Sequence, residues 1–173
     1  MEFDPNLNKR REAVLNRAPL LRAVLNYEST DIENILEVGA PMIHEISDRF
    51  GKNWHKLVIP PLYFSGTAID VFNPKVEIEN TIRSIIILVQ VGYEVGNKED
   101  LHIFEEDISK FLIKSGIANS EVNNYNNLLS ITKSIIYTGS YLKSGGLQVG
   151  NEDKSNIPKP FGDFIKGFDL NDL

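Results

Sequence analysis

The sequence predicts an all-α fold: a compact bundle of five or six helices, then a Gly/Pro-containing linker and a short amphipathic tail. Three observations predict it. Apolar residues recur at spacings of three and four over most of residues 5–144. Residues typical of helix starts and stops bracket several of these stretches. The chain has 173 residues, 42% hydrophobic and 24% charged, which is ordinary for one globular domain.

The first helical stretch covers residues 7–25. Its apolar stripe consists of Leu7, Val14, Ala18, Leu21 and Leu25. Pro19 interrupts the stripe, and proline lacks the N–H that a helix interior requires. We therefore expect a kink or break near Ala18.

The second helix has the clearest boundaries. Thr30-Asp31-Ile32-Glu33 matches a capping box, and Gly51 follows Phe50 where the helix should end. Its apolar face comprises Ile32, Ile35, Leu36, Gly39, Ile43, Ile46 and Phe50. We expect Pro41 to bend this helix.

Residues 51–73 carry no clear periodicity. The aromatic pair Tyr63 and Phe64 follows Pro60-Pro61 in this region. Such a cluster can line a ligand pocket, which makes the pair the candidate ligand-binding residues. The competing interpretation, which we favour, is that both rings plug one end of the bundle.

Residues 74–95 fit two patterns. Ile78, Ile82, Ile85, Ile86, Val89 and Tyr93 keep helical spacing, whereas the valines from 89 to 95 alternate as in a strand. The helical stripe covers more of the segment. The sequence therefore predicts a buried central helix from about Pro74 to Val95, with Asn73-Pro74 at its start.

Two more helices complete the predicted bundle. The first runs from Lys98 to Ser115 and ends at Gly116. The second is capped by Asn119 or Ser120 and continues to Gly145-Gly146. Both carry one apolar face, as expected of helices that pack on a shared core.

The composition divides the chain into a helical domain at residues 1–144 and a linker and tail at residues 145–173. The linker is rich in glycine, proline and polar residues. The tail then places apolar anchors at Phe161, Phe164, Ile165 and Phe168. We predict that these four residues bind a partner, in a groove on another chain. Docking on the tail's own bundle and disorder are the alternatives.

Charge and cysteine content exclude several classes of function. The net charge is −6, which disfavours nucleic-acid binding. The absence of cysteine excludes disulfides, thiolate zinc sites, iron–sulfur clusters and cysteine nucleophiles, and favours the cytoplasm. The first residues lack a signal peptide's pattern, and the longest apolar run, Ile85–Val89, is too short to span a membrane. The basic run Lys9–Arg11, with Arg17 and Arg22, predicts a solvated helix face, and a contact to a phosphate or to an acidic partner is the alternative.

Three residues carry the enzyme alternative: His44, His102 and Glu105. Each histidine has a carboxylate one helical turn away, at Asp48 and Glu106, which is a possible ligand spacing. Both histidines nevertheless lie away from the apolar stripes, so we expect them on the surface. Glu105 lies near its stripe, at the rim of the core or paired with a cation.

These observations predict a non-enzymatic interaction or assembly protein that binds a protein partner or copies of itself, without cofactor or metal. The reason is that no complete catalytic motif is present while an apolar tail is. A metal-dependent hydrolase or a small-ligand sensor around Tyr63 and Phe64 remains the alternative.

Overall fold

The computed structural model describes residues 5–27, 32–55, 71–119 and 125–145. Within these ranges the chain forms seven α-helices, and its β-structure there is one isolated bridge between Phe72 and Ala118. The helices are α1 (Pro5–Arg17), α2 (Pro19–Leu25), α3 (Ile32–Phe50), α4 (Ile78–Val95), α5 (Lys98–His102), α6 (Glu105–Lys114) and α7 (Tyr125–Lys143). The predicted all-α class is confirmed, and the helix count exceeds the predicted five or six.

The sequence predicted one break in the first helical stretch, near Ala18. Ala18 has φ −127° and ψ 79°, outside helical values, and α2 then begins with Pro19. Proline suits a first helical position because its missing N–H would have no partner there. The interruption expected near Ala18 is therefore a complete break between α1 and α2.

A second break was not predicted, and the expectation of one helix from Lys98 to Ser115 is wrong. The N–H of Phe104 bonds to the carbonyl of Leu101, three residues back, and Phe104 has φ −105° and ψ 5°. This turn directs the Phe104 side chain into the core, where it is fully buried. A new helix follows at once, with three carboxylates in its first turn at Glu105, Glu106 and Asp107.

Helix α4 lies at the centre of the bundle. Thirteen of its 18 residues are buried, so it is apolar on nearly every side. This explains the alternating valines without a strand, and the strand alternative is wrong. The helix begins at Ile78 rather than Pro74, because the Asn73 side chain accepts a bond from the Lys75 N–H (3.0 Å) and holds a turn there. None of the described helices, α4 included, is long and apolar enough to cross a membrane.

The most extensive contact in the described part is between α4 and α7. It depends on two glycines, Gly92 and Gly139, which let the helix backbones touch. A methyl group at Gly92 would overlap the Ile136 carbonyl, and one at Gly139 would overlap the Val89 carbonyl. Helices α2, α3, α5 and α6 pack against this pair, and α1 packs on α2 and α5.

Some of the other predicted helix ends lie outside the residues that the structure describes. Helix α3 ends at Phe50, and Gly51 follows with φ +96°, as predicted. The capping box at Thr30 and Asp31 and the cap at Ser120 lie outside the described ranges. So does the chain from residue 146 onward, which contains almost all of the predicted linker and tail.

Candidate functional site

The residues that the sequence singled out for binding lie outside the described part of the chain. These are the candidate ligand-binding residues Tyr63 and Phe64, and the partner-binding residues Phe161, Phe164, Ile165 and Phe168. The candidate site is therefore built from the helices that the structure describes.

The residues of the enzyme alternative do not form a common site. His44 is exposed on α3, and the side chain of His102 is 69% exposed on α5. Glu105 joins only the second histidine, with 3.1 Å between its Oε2 and the His102 Nδ1. Among the described residues, no group of three or more His, Asp or Glu side chains could hold a metal ion.

Sequence analysis missed Tyr137, which completes the cluster around Glu105. The Tyr137 hydroxyl donates a hydrogen bond to the Glu105 carboxylate. Burial raises the pKa of Tyr137, and the Glu105 hydrogen bond and charge shift it in the same direction. The phenol is therefore protonated near neutral pH and serves as a donor that ties α6 to α7. Such a group is a poor general base.

A cleft of about 740 Å³ lies between α1, α2 and α6. Its lining combines apolar and charged side chains: Arg11, Glu12, Leu15, Asn16, Arg22, Val24, Leu25, Asn26, Tyr27, Asp107, Lys110, Phe111 and Lys114. Four cations stand against two carboxylates, a net charge of +2 on a chain whose net charge is −6. The cleft therefore differs in sign from the molecule as a whole.

The apolar part of the lining is anchored by an aromatic pair. The rings of Tyr27 and Phe111 meet edge to face, with centroids 5.1 Å apart. Both residues are buried, as is Val24, whereas Leu15 and Leu25 are partly buried. These five side chains give the cleft apolar surface that reaches the core.

The Arg11 side chain attaches α1 to α6 within the cleft. Its guanidinium lies 2.8 Å from Asp107, donates to the Ile103 carbonyl and stacks 4.7 Å from the Phe104 ring centroid. Arg11 and Asp107 thus neutralise each other. The acidic side chain that remains in the lining is Glu12.

The other three cations of the lining are not paired with a carboxylate within the described ranges. Arg22 donates to the neutral Asn16 side chain (3.1 Å). Lys110 and Lys114 are exposed one turn apart on α6, so their ammonium groups lie along the same side of that helix. Together these three side chains give the described part of the cleft a positive rim.

The basic run of the first helix is divided between two roles. Arg17 and Arg10 both contact Asp100 of α5, at 2.6 and 3.6 Å. Arg11 and Arg22 line the cleft. The predicted solvated face therefore carries intramolecular ion pairs, with Arg10 and Arg17 both about half exposed. For the rest of the positive rim, the signal in the sequence was the helical spacing of Lys110 and Lys114.

Comparison of the chain with protein-family models, curated proteins and solved structures finds no match.

Proposed function

We propose that this chain is a non-enzymatic interaction protein, and that the cleft between α1, α2 and α6 binds an acidic, apolar segment of a protein partner. One observation carries the proposal. Arg22, Lys110 and Lys114 lack carboxylate partners among the described residues and border a lining that contains buried aromatic rings.

The mixture of groups in the lining favours a peptide over a small ion. A bound segment with apolar anchors would cover the partly buried Leu15 and Leu25, whereas its carboxylates would meet the cations at the rim. A phosphate or a nucleic acid would use the cations alone and leave the apolar surface exposed. The acidic balance of the whole chain also opposes nucleic-acid binding.

The lining offers little for catalysis. Among the described residues that line it, there is no histidine, serine or threonine, and one of the two carboxylates is held by Arg11. The cluster of His102, Glu105 and Tyr137 lies outside the lining. We therefore favour binding over a hydrolase. The cytoplasm remains the proposed compartment because the chain has no cysteine.

A displayed library of random 16-residue peptides tests the proposal. Panning is run on the full chain and on the full chain with Phe164→Ser and Phe168→Ser, so that the apolar tail cannot mask the cleft. We expect enrichment of peptides that interleave Asp or Glu with Phe or Leu. A selected peptide should lose at least about tenfold in affinity on the double variant Lys110→Glu, Lys114→Glu.

The matched control is the double variant Lys9→Glu, Lys75→Glu, which changes the net charge equally at exposed positions outside the lining. It should alter the affinity by less than about twofold after correction for salt. Lack of enrichment on both targets would overturn the proposed function. So would equal binding to the cleft variant and the wild type, or tighter binding of a single-stranded oligonucleotide than of any selected peptide.

A further inference from the structure

We infer that the tail of this chain, residues 158–173, occupies the cleft of its own molecule, so that a partner segment must displace it. The inference rests on the proposed function, since it takes the cleft to be a site for acidic, apolar segments. It adds that the tail itself occupies the cleft. A partner must therefore compete with the tail for this site.

The chemistry of the tail matches that of the cleft. Residues 161–173 carry three carboxylate side chains, Asp163, Asp169 and Asp172, and one cation, Lys166. The same residues include six large apolar side chains: Phe161, Phe164, Ile165, Phe168, Leu170 and Leu173. Counted over residues 158–173, which also include Lys159, the tail has a net charge of −1, opposite in sign to the +2 of the lining. Its aromatic side chains match the apolar part of the lining, where the partly buried Leu15 and Leu25 remain accessible.

The position where α7 ends places the tail within reach. Lys143 lies beside Gly96, because its Cγ is 3.1 Å from where a Cβ on that glycine would stand. Gly96 lies two residues before the start of α5, whose Asp100 binds Arg17 of α1, and Arg17 follows the cleft residue Asn16. This route through bonded and contacting residues is on the order of 30 Å long.

The linker is long enough for this route. Residues 144–157 supply 14 residues before the tail. A chain of that length extends to at most about 48 Å, and its average span is about 20 Å. A tethered segment that can reach its site has an effective concentration of order mM. Docking within one molecule is therefore favoured over docking on a second copy at micromolar concentration.

Cysteine cross-linking tests the inference on the full chain, because the wild type has no cysteine to interfere. Asn171→Cys labels the tail without removing an anchor or a charge, and Asn26→Cys labels the cleft. The matched control pairs Asn171→Cys with Asn53→Cys. Asn53 is exposed just beyond α3, whose Arg49 donates to the Lys143 carbonyl (3.1 Å), so it lies near the tether and outside the cleft.

Under mild oxidation, the cleft pair should form an internal disulfide at least about tenfold faster than the control pair, since random motion of the tether favours Asn53. Adding Lys110→Glu and Lys114→Glu should remove that preference. The product should run as a monomer on a non-reducing gel. Equal rates for the two pairs would overturn the inference, and predominantly dimeric products would assign the tail to a second copy and overturn it as well.

A second measurement separates this inference from the proposed function. If the tail competes for the cleft, a selected peptide should bind the Phe164→Ser, Phe168→Ser chain several times more tightly than the wild type. Equal affinity for both chains overturns the role of the tail and leaves the cleft as a partner site. Failure to select any peptide on either chain overturns both. Matching circular dichroism and melting temperatures establish that each variant is folded.

Discussion

Two sides of the bundle are stabilised by different kinds of interaction. At the α4–α7 contact, glycines bring two backbones together and the side chains around them are buried. Helix α1, in contrast, buries only Val14 of its 13 residues and is attached mainly through arginine side chains. The first contact depends on shape and apolar burial, whereas the second depends on charge.

This difference explains where a binding cleft can exist. Exposed ion pairs typically contribute about 0 to 1 kcal/mol each and weaken with salt. A helix held in this way leaves open surface beside it, as α1 does along α6. A close-packed pair such as α4 and α7 leaves no such space. Five predictions test this comparison, beginning with the substitution that should cost the most stability.

Gly92→Ala should have the largest effect. The added methyl group would overlap the backbone of α7, which a rotamer change does not relieve, so the helices must separate. We expect a loss of about 4 kcal/mol or more in the free energy of unfolding, measured by urea denaturation. Ser134→Ala, on the exposed side of α7, is the control and should be near neutral. A neutral Gly92→Ala would contradict the close contact.

Ile86→Ala should cost about 3 kcal/mol, because Ile86 is 1% exposed and its removal leaves a cavity in the core. Ile43→Ala on α3 should cost less, since Ile43 is only partly buried. Denaturation midpoints of the two variants give the comparison. Equal losses would mean that α3 is packed as tightly as α4.

Glu94 is a charged residue of the central helix α4 that holds α2 in place. Its carboxylate accepts hydrogen bonds from the N–H groups of Leu20 and Leu21 at the start of α2 (3.0 and 3.1 Å). Glu94→Ala leaves both donors unpaired and should cost about 1 kcal/mol. Thermal melts at neutral pH measure this loss.

The same residue gives a pH dependence with a definite sign. Burial raises the pKa of Glu94 above its ordinary value of 4.5, and the two hydrogen bonds only partly oppose the shift. The folded state therefore favours the protonated form, whose stabilising effect is full below the ordinary pKa and declines as the pH rises through the folded pKa. Relative to Glu94→Gln, the wild type should be more stable near pH 4 than near pH 7. A constant difference between the two would contradict a raised pKa.

Asp100→Asn should have the smallest effect, about 1 kcal/mol or less, although it removes the negative charge that Arg10 and Arg17 share. The loss should shrink as salt is raised, unlike that of Gly92→Ala. Chemical denaturation with urea at two salt concentrations measures both effects. His44→Ala, at an exposed position, is the control and should change stability by less than about 0.5 kcal/mol. A salt-independent loss at Asp100 would remove the distinction between the two sides.

Features that depend on neighbouring residues could be predicted from the sequence alone. The break before Pro19 follows from a missing N–H, the end of α3 from a glycine at positive φ, and the class of fold from apolar spacing. The surface positions of His44 and His102 followed from the same spacing. Each of these is decided within one or two helical turns.

The tertiary structure alone decided the contacts between distant parts of the chain. Arg11 meets Asp107 across 96 residues, Glu94 caps a helix that begins 75 residues earlier at Pro19, and Gly92 touches α7. The turn at Phe104 exists because its ring is buried among other helices. Helical periodicity assigns a side chain to a face of its own helix, but which helix covers that face depends on how all the faces are buried together. The cleft results from this packing, at the place where α1 and α2 meet α6.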